Sequence, residues 1–167
     1  MARLHPMRTL NRKNEKDSRA VTDPAISKKK YNDLQEELGA LLKKRPKAAA
    51  EVTRLAEMGD FSENVEYQLA KRRLRGINYA ILRIENQLRH AEIIETSNTD
   101  AVHTGHTVTV FVDNKEKKFT ILGSSESDPP QGIISHNSPI GAALLGRKVG
   151  DSATIKTKLG EKTYVIQ

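Results

Sequence analysis

Glu57, Asp60, Glu63 and Glu66 are four carboxylates in a stretch of ten residues without Lys or Arg, in a 167-residue chain of formal net charge +7. Asp60 and Glu63 stand three apart, so both can reach one ligand. Carboxylate oxygens suit hard cations, and Mg²⁺ keeps several waters while taking one or two carboxylates from a single element. On an exposed turn such a pair forms no closed cage, and it holds metal firmly only where another macromolecule supplies the remaining ligands. Two other readings fit the same residues. Asp60 and Glu63 form a capping box, with Asp60 at the N-cap and Glu63 three residues on, or the acids steer the stretch into a basic pocket without chemistry. The local sequence leaves all three open.

Cations gather on both sides of the acids: Lys43, Lys44, Arg45 and Lys47 before them, Lys71, Arg72, Arg73 and Arg75 after them. A charge run alone is most often a solvated helical face. Two runs brought to a similar height on one rod make a phosphate-binding patch an equal reading.

The flanking apolar pattern says what must hold these residues in place. Tyr31, Leu34, Leu38, Leu41, Arg45, Ala48, Val52 and Leu55 step alternately by three and four. Tyr67, Ala70, Leu74, Ile77, Ile81, Ile84, Leu88 and Ala91 repeat that order. Each set is an a/d seam, interrupted at Arg45. Folded back antiparallel, Leu55 meets Tyr67, Val52 meets Ala70, Leu41 meets Ile81 and Tyr31 meets Ala91. The spacing predicts an antiparallel coiled-coil hairpin over residues 27–95, with arms on the order of 40 Å long and the acids of 57–66 at its tip. Ser27 is the expected N-cap of the first helix and Gly59 its C-cap glycine. Lys28 to Lys30 open that helix against its dipole. Pro46 inside it costs roughly 3 kcal/mol and predicts a kink.

Residues 1–30 hold nine Lys or Arg against three acids; residues 1–26, with Pro6 and Pro24 and no periodicity, read as a basic mobile leader. Residues 96–104 read as a linker. From 105 onward the period changes to two, at Val108, Val110 and Val112. A turn follows at Asp113-Asn114, then a strand from Phe119 to Leu122, a loop from Gly123 to Gly132 and a short strand at Ile133-Ile134. Ser138-Pro139 starts a short helix, and strands over Ala153–Lys156 and Thr163–Ile166 close the domain. This is a small antiparallel sheet with one short helix, so the whole chain reads as α+β.

Only 37% of residues are hydrophobic and 4% aromatic, which suits a thin rod plus a small domain better than one large core. The absence of Cys excludes disulfides and thiolate metal sites. No apolar run approaches the ~20 residues of a membrane helix, and a cytoplasmic protein without membrane contact is expected. His5, His90, His103, His106 and His136 show no ligand spacing and read as incidental. No P-loop, dinucleotide fingerprint or nucleophile motif is present.

Gly59-Asp60-Phe61-Ser62-Glu63-Asn64-Val65-Glu66-Tyr67 resembles the GD-x-x-EN-x-EY tip signature of bacterial Gre transcript cleavage factors. Ile134-Ser135-His136-Asn137-Ser138-Pro139-Ile140-Gly141-Ala142-Ala143-Leu144-Leu145-Gly146, followed by Gly150-Asp151, resembles that family's IS-x-x-SP-x-x-x-ALLG…GD signature. The resemblance covers residues 27–167 and implies a coiled-coil hairpin followed by an FKBP-like domain over 105–167. That domain docks on RNA polymerase near its secondary channel, which the hairpin enters. It implies that Asp60 and Glu63 hold a Mg²⁺ shared with the polymerase, none being bound tightly by the isolated protein, while Gly59, Asn64, Glu66 and Tyr67 shape the tip. Lys44, Lys71, Arg72, Arg73 and Arg75 would contact the nascent RNA 3′ segment. Ser135, Ser138, Pro139, Ile140, Gly141 and Leu144 would serve polymerase docking. The implied product is a monomeric factor, not itself an enzyme, that stimulates the polymerase to cut backtracked RNA. The Lys71–Arg75 run looks more like the GreB type than the GreA type.

Two alternatives come from other classes. A channel-binding regulator would inhibit polymerase or compete with cleavage factors without metal chemistry; the Asp60 and Glu63 pair argues against it. A prolyl isomerase built on the second domain would need an aromatic pocket, and Phe111, Phe119 and Tyr164 are too few to line one.

Overall fold

The computed structural model describes residues 23–58, 65–95, 99–157 and 160–167. The expected leader, apart from its last four residues, and residues 59–64 lie outside them.

Helix α1 (Lys28–Glu57) begins at Ser27, whose hydroxyl accepts the Lys30 N–H at 3.1 Å. Helix α2 (Val65–Arg89) returns along it. The seam is the expected one. Leu34, Ala48, Leu55, Ala70, Ile81 and Ile84 are buried, Tyr31, Leu38, Leu41, Val52, Tyr67, Leu74, Ile77 and Leu88 are half-buried, and Arg45 is exposed. Cross-arm pairs Arg73–Glu51 and Arg83–Glu37 flank the same register. Helix α1 continues through Pro46 rather than ending there. Pro46 is exposed, so water can satisfy the carbonyl that loses its partner.

At the root of the rod, β1 (Ala25–Ile26) pairs in parallel with β2 (Glu92–Ile93). This corrects the leader boundary: Ile26 is fully buried in a cluster with Leu34 and Ile84, which ties the end of the leader to the hairpin. Two-residue strands carry no periodicity, so the pattern that revealed the helices did not show this pair.

Gly39 and Gly76 lie within the helices, and nothing approaches within 4 Å of where a Cβ would sit. Glycine in a helix interior costs about 0.5–1 kcal/mol relative to Ala. Gly39→Ala with Gly76→Ala is therefore expected to stabilise the hairpin by about 1–2 kcal/mol, read as a higher helix-melting midpoint by circular dichroism. A lowered midpoint would contradict the open surroundings.

The second unit is a five-stranded sheet in the order β5-β4-β3-β7-β6, built from β3 (Thr107–Val112), β4 (Lys115–Leu122), β5 (Ile133–Ser135), β6 (Ser152–Thr157) and β7 (Gly160–Ile166). Asp113 and Asn114 both have positive φ, at 52° and 59°, as a two-residue hairpin turn between right-twisted strands requires. Val108, Val110 and Val112 face a core with Ile121, Ile134, Ala153, Ile155, Tyr164 and Ile166. One ladder departs from the expected antiparallel sheet: β4 and β5 pair in parallel. The 3-10 turns Ser124–Glu126 and Pro129–Gln131 lie in the connection between them and carry the chain back to the starting end, as a parallel neighbour demands.

The expected linker is also shorter at its far end. Val102 is buried in the sheet's core and Ala101 bridges Lys148. Helix α3 (Pro139–Leu144) is capped by Ser138, whose hydroxyl accepts the Gly141 N–H at 3.0 Å. Phe119 and Tyr164 meet edge to face, and Phe111 is exposed.

Candidate functional site

Asp60, Glu63, Gly59 and Asn64 lie outside the described residues, but the helices fix where their segment begins and ends. Helix α1 stops at Glu57 with Met58 as C-cap, and α2 starts at Val65. Both points are at the end of the rod remote from β1 and β2. Glu66 is in the first turn of α2, where its charge favours the helix dipole. Tyr67 is half-buried in the seam, with the Lys71 ammonium 5.1 Å from its ring centroid.

Three large apolar side chains near this end, Met58, Val65 and Leu69, are all more than half exposed. They were not singled out from the sequence. Their signal was there, because each is an apolar residue off the a/d seam.

Behind the end lie the cations. Lys43, Lys44, Arg45, Lys47, Arg72 and Arg75 are exposed and have no ion-pair partner among the described residues. Arg73 differs, because its guanidinium holds Glu51 at 2.9 Å. That pair is solvent-exposed and worth at most about 1 kcal/mol, yet it neutralises one of the expected phosphate contacts. The register also places Lys47 level with Arg75, and Lys43 and Lys44 farther from the end. The collar is thus staggered along the rod, roughly 10–20 Å from its end.

The second signature is mostly internal. Leu144 is 0% exposed, and Gly141 and Ser135 are buried. A Cβ at Gly141 would lie 2.1 Å from the Ser135 carbonyl oxygen, so this corner closes only around glycine. Leu144 offers a partner no surface, and Gly141 and Ser135 offer little. Pro139 is exposed and Ser138 and Ile140 half-buried, leaving them as the signature's accessible part. Ser138 is occupied twice over, donating to the Ser135 carbonyl at 2.6 Å while capping α3.

The side chains of this corner turn toward the root of the hairpin. Ser135 and Ser124 hydroxyls meet at 2.8 Å, and the Asn137 N–H donates to Ser135 Oγ at 3.1 Å. The Asn137 amide and His136 Nδ1 each lie 3.5 Å from Asp23 Oδ2. His136 is therefore not incidental. Among the described residues no group of three or more His, Asp or Glu is placed to hold a metal, and no helix is long and apolar enough to cross a membrane.

Residues 25–93 match the profile described as Transcription elongation factor, N-terminal, and residues 96–167 that described as Transcription elongation factor, GreA/GreB, C-term. Transcription elongation factor GreA of Nitratiruptor sp. is 38% identical over 140 residues, covering 81% of this chain and 86% of that protein. The GreA of Bacillus licheniformis is 42% identical over 133 residues, covering 77% and 84%. The solved structure of GreA factor homolog 1 of Thermus thermophilus spans 84% of this chain and 94% of its own at 23% identity, with a TM-score of 0.41. Both relatives carry the GreA name, and the resemblance to the GreB type drawn from the Lys71–Arg75 run is not supported.

Proposed function

Because this chain belongs to the GreA/GreB family of transcription elongation factors, we propose that it acts on RNA polymerase from the cytoplasm by reaching into it with the end of its hairpin. There Asp60 and Glu63 help the polymerase cut a backtracked transcript. The observation that carries the reading is the rod itself. Its seam buries Leu34, Ala48, Leu55, Ala70, Ile81 and Ile84 between the two arms, and the connection that carries Asp60 and Glu63 in sequence leaves α1 and enters α2 at the end of the rod remote from β1 and β2.

The donor set fits Mg²⁺. Two carboxylates are the usual share that one element gives such an ion, and an open tip leaves the rest of the shell to the polymerase. When bound there, the ion supplies activation of water and neutralisation of charge at the phosphodiester. The tip carboxylates themselves bring negative charge and acceptor oxygens to orient the attacking water. Exposed Met58, Val65 and Leu69 suit an end that becomes covered by protein. Exposed Lys44, Lys71, Arg72 and Arg75 suit contact with the phosphates of an RNA 3′ segment running toward the tip. The bond-breaking centre belongs to the polymerase, so the chain is a stimulating factor and not a nuclease.

The test adds the full chain and Mg²⁺ to polymerase halted on a backtracked template. Release of 3′ RNA fragments well above the rate of polymerase alone is expected, and an unchanged rate would overturn the reading. For the collar, Arg72→Ala with Arg75→Ala is expected to weaken crosslinking to the RNA 3′ segment while polymerase binding persists. The salt dependence should fall by about 0.7 in log–log slope for each phosphate no longer neutralised. Unchanged crosslinking would return these arginines to the role of a solvated face.

A further inference from the structure

Helix α1 opens on Lys28, Lys29 and Lys30 with no acid in its first turn, a poor match to the positive end of its dipole. The missing negative charge comes from the other unit. Glu126, in the 3-10 turn Ser124–Glu126 and 99 residues away, accepts the Ser27 N–H at 2.6 Å through Oε1 and the Ser27 hydroxyl at 2.5 Å through Oε2. Both carboxylate oxygens thus grip the N-cap residue of the hairpin. The same turn is gripped from the opposite direction. Asp23 Oδ2 accepts the Ser124 N–H at 2.7 Å, and Oδ1 accepts the Ala25 N–H at 3.1 Å.

The two units approach closely here. A Cβ at Gly123 would fall 1.7 Å from the Ala25 carbonyl oxygen, so the strand that leads into the rod lies directly against the globular unit. Burial pushes the Asp23 carboxyl up, but hydrogen bonds from Ser124 and Ala25 and the neighbouring His136 outweigh it and hold it below the ordinary carboxylate range. Asp23 is therefore ionised at neutral pH, and its hydrogen bonds are charge-assisted, the stronger kind.

We propose that Asp23 and Glu126 are positioning residues that set the direction of the hairpin, and so the placement of Asp60 and Glu63, by clamping the root of the rod against one turn of the globular unit. This rests on the tip reading above. Leverage makes the joint consequential. On a rod of thirty residues, about 45 Å long, a tilt of about 10° at the root moves the end by roughly 8 Å. Catalytic groups tolerate misplacement of only about 1 Å before rates fall steeply. The second signature gains a role in this arrangement. Ser135, His136 and Asn137 form the seat for Asp23 and Ser124, so this part of the signature shapes the joint.

The chain has no Cys, so Ala50→Cys on the rod and Ser152→Cys on the sheet, both exposed positions, accept unique spin labels in the full-length protein. A single narrow distance distribution between them is expected. Asp23→Ala with Glu126→Ala should at least double its width while far-ultraviolet circular dichroism keeps its helical signal. The same pair of changes should lower transcript cleavage roughly 10-fold with polymerase binding retained. Should the double variant lose helix, Glu126→Gln, which keeps the volume and one acceptor, is expected to broaden the distribution by itself. A distribution as narrow as that of the parent in a folded variant would overturn the proposal. The distance measurement needs no polymerase, so it stands or falls apart from the cleavage reading.

Discussion

Leu144→Ala is expected to destabilise the globular unit by about 2–5 kcal/mol and to loosen the corner that seats the hairpin. Leu144 is fully buried in the core of the sheet and belongs to a helix of only six residues. A helix that short has little stability of its own, so α3 stays in place through its Ser138 cap and its buried face. Removing the side chain leaves a cavity in the core where α3 packs on β5 and β6, and the rigid sheet closes it only in part. By hydrogen exchange, protection over 107–112 and 119–122 should fall about 30-fold or more, since each 1.4 kcal/mol is tenfold. Protection in the hairpin seam around Leu34 and Ile84 should change far less, because that cluster draws on a separate set of side chains. Equal loss in both units would mean that they unfold as one.

Much of this architecture was legible in the sequence where a period repeats. The alternating steps from Tyr31 to Leu55 and from Tyr67 to Ala91 fixed both helices and their register, because burying one stripe per helix is the only way such a rod excludes water. Val108, Val110 and Val112 and the Ser138-Pro139 start were readable for the same local reasons. What escaped joins distant residues. Glu126 and Ser27 share no pattern, and the β1–β2 pair is too short to have one. One clue was present, however: a first turn of three lysines with no acid asks for a carboxylate from elsewhere. The burial of Leu144 and Gly141 and the pairing of Arg73 with Glu51 are properties of packing, which a motif does not display.

The second large effect concerns the tip. Asp60→Asn with Glu63→Gln keeps the size of both side chains and removes both charges, so the hairpin and its collar should persist. Neutral amides are far weaker ligands for a hard cation than carboxylates. Loss of charge stabilisation at the reacting phosphodiester is expected to cost about 3 kcal/mol or more, roughly 10²-fold in cleavage rate. On the proposed shared ligand, each single variant should lose nearly as much as the pair.

The most direct measurement follows fragment release from backtracked polymerase with the double variant and the parent side by side, together with competition between the two for polymerase. The expected result is a double variant that displaces the parent from polymerase yet releases RNA no faster than polymerase alone. Cleavage at the parent's rate by the double variant would contradict the role given to Asp60 and Glu63.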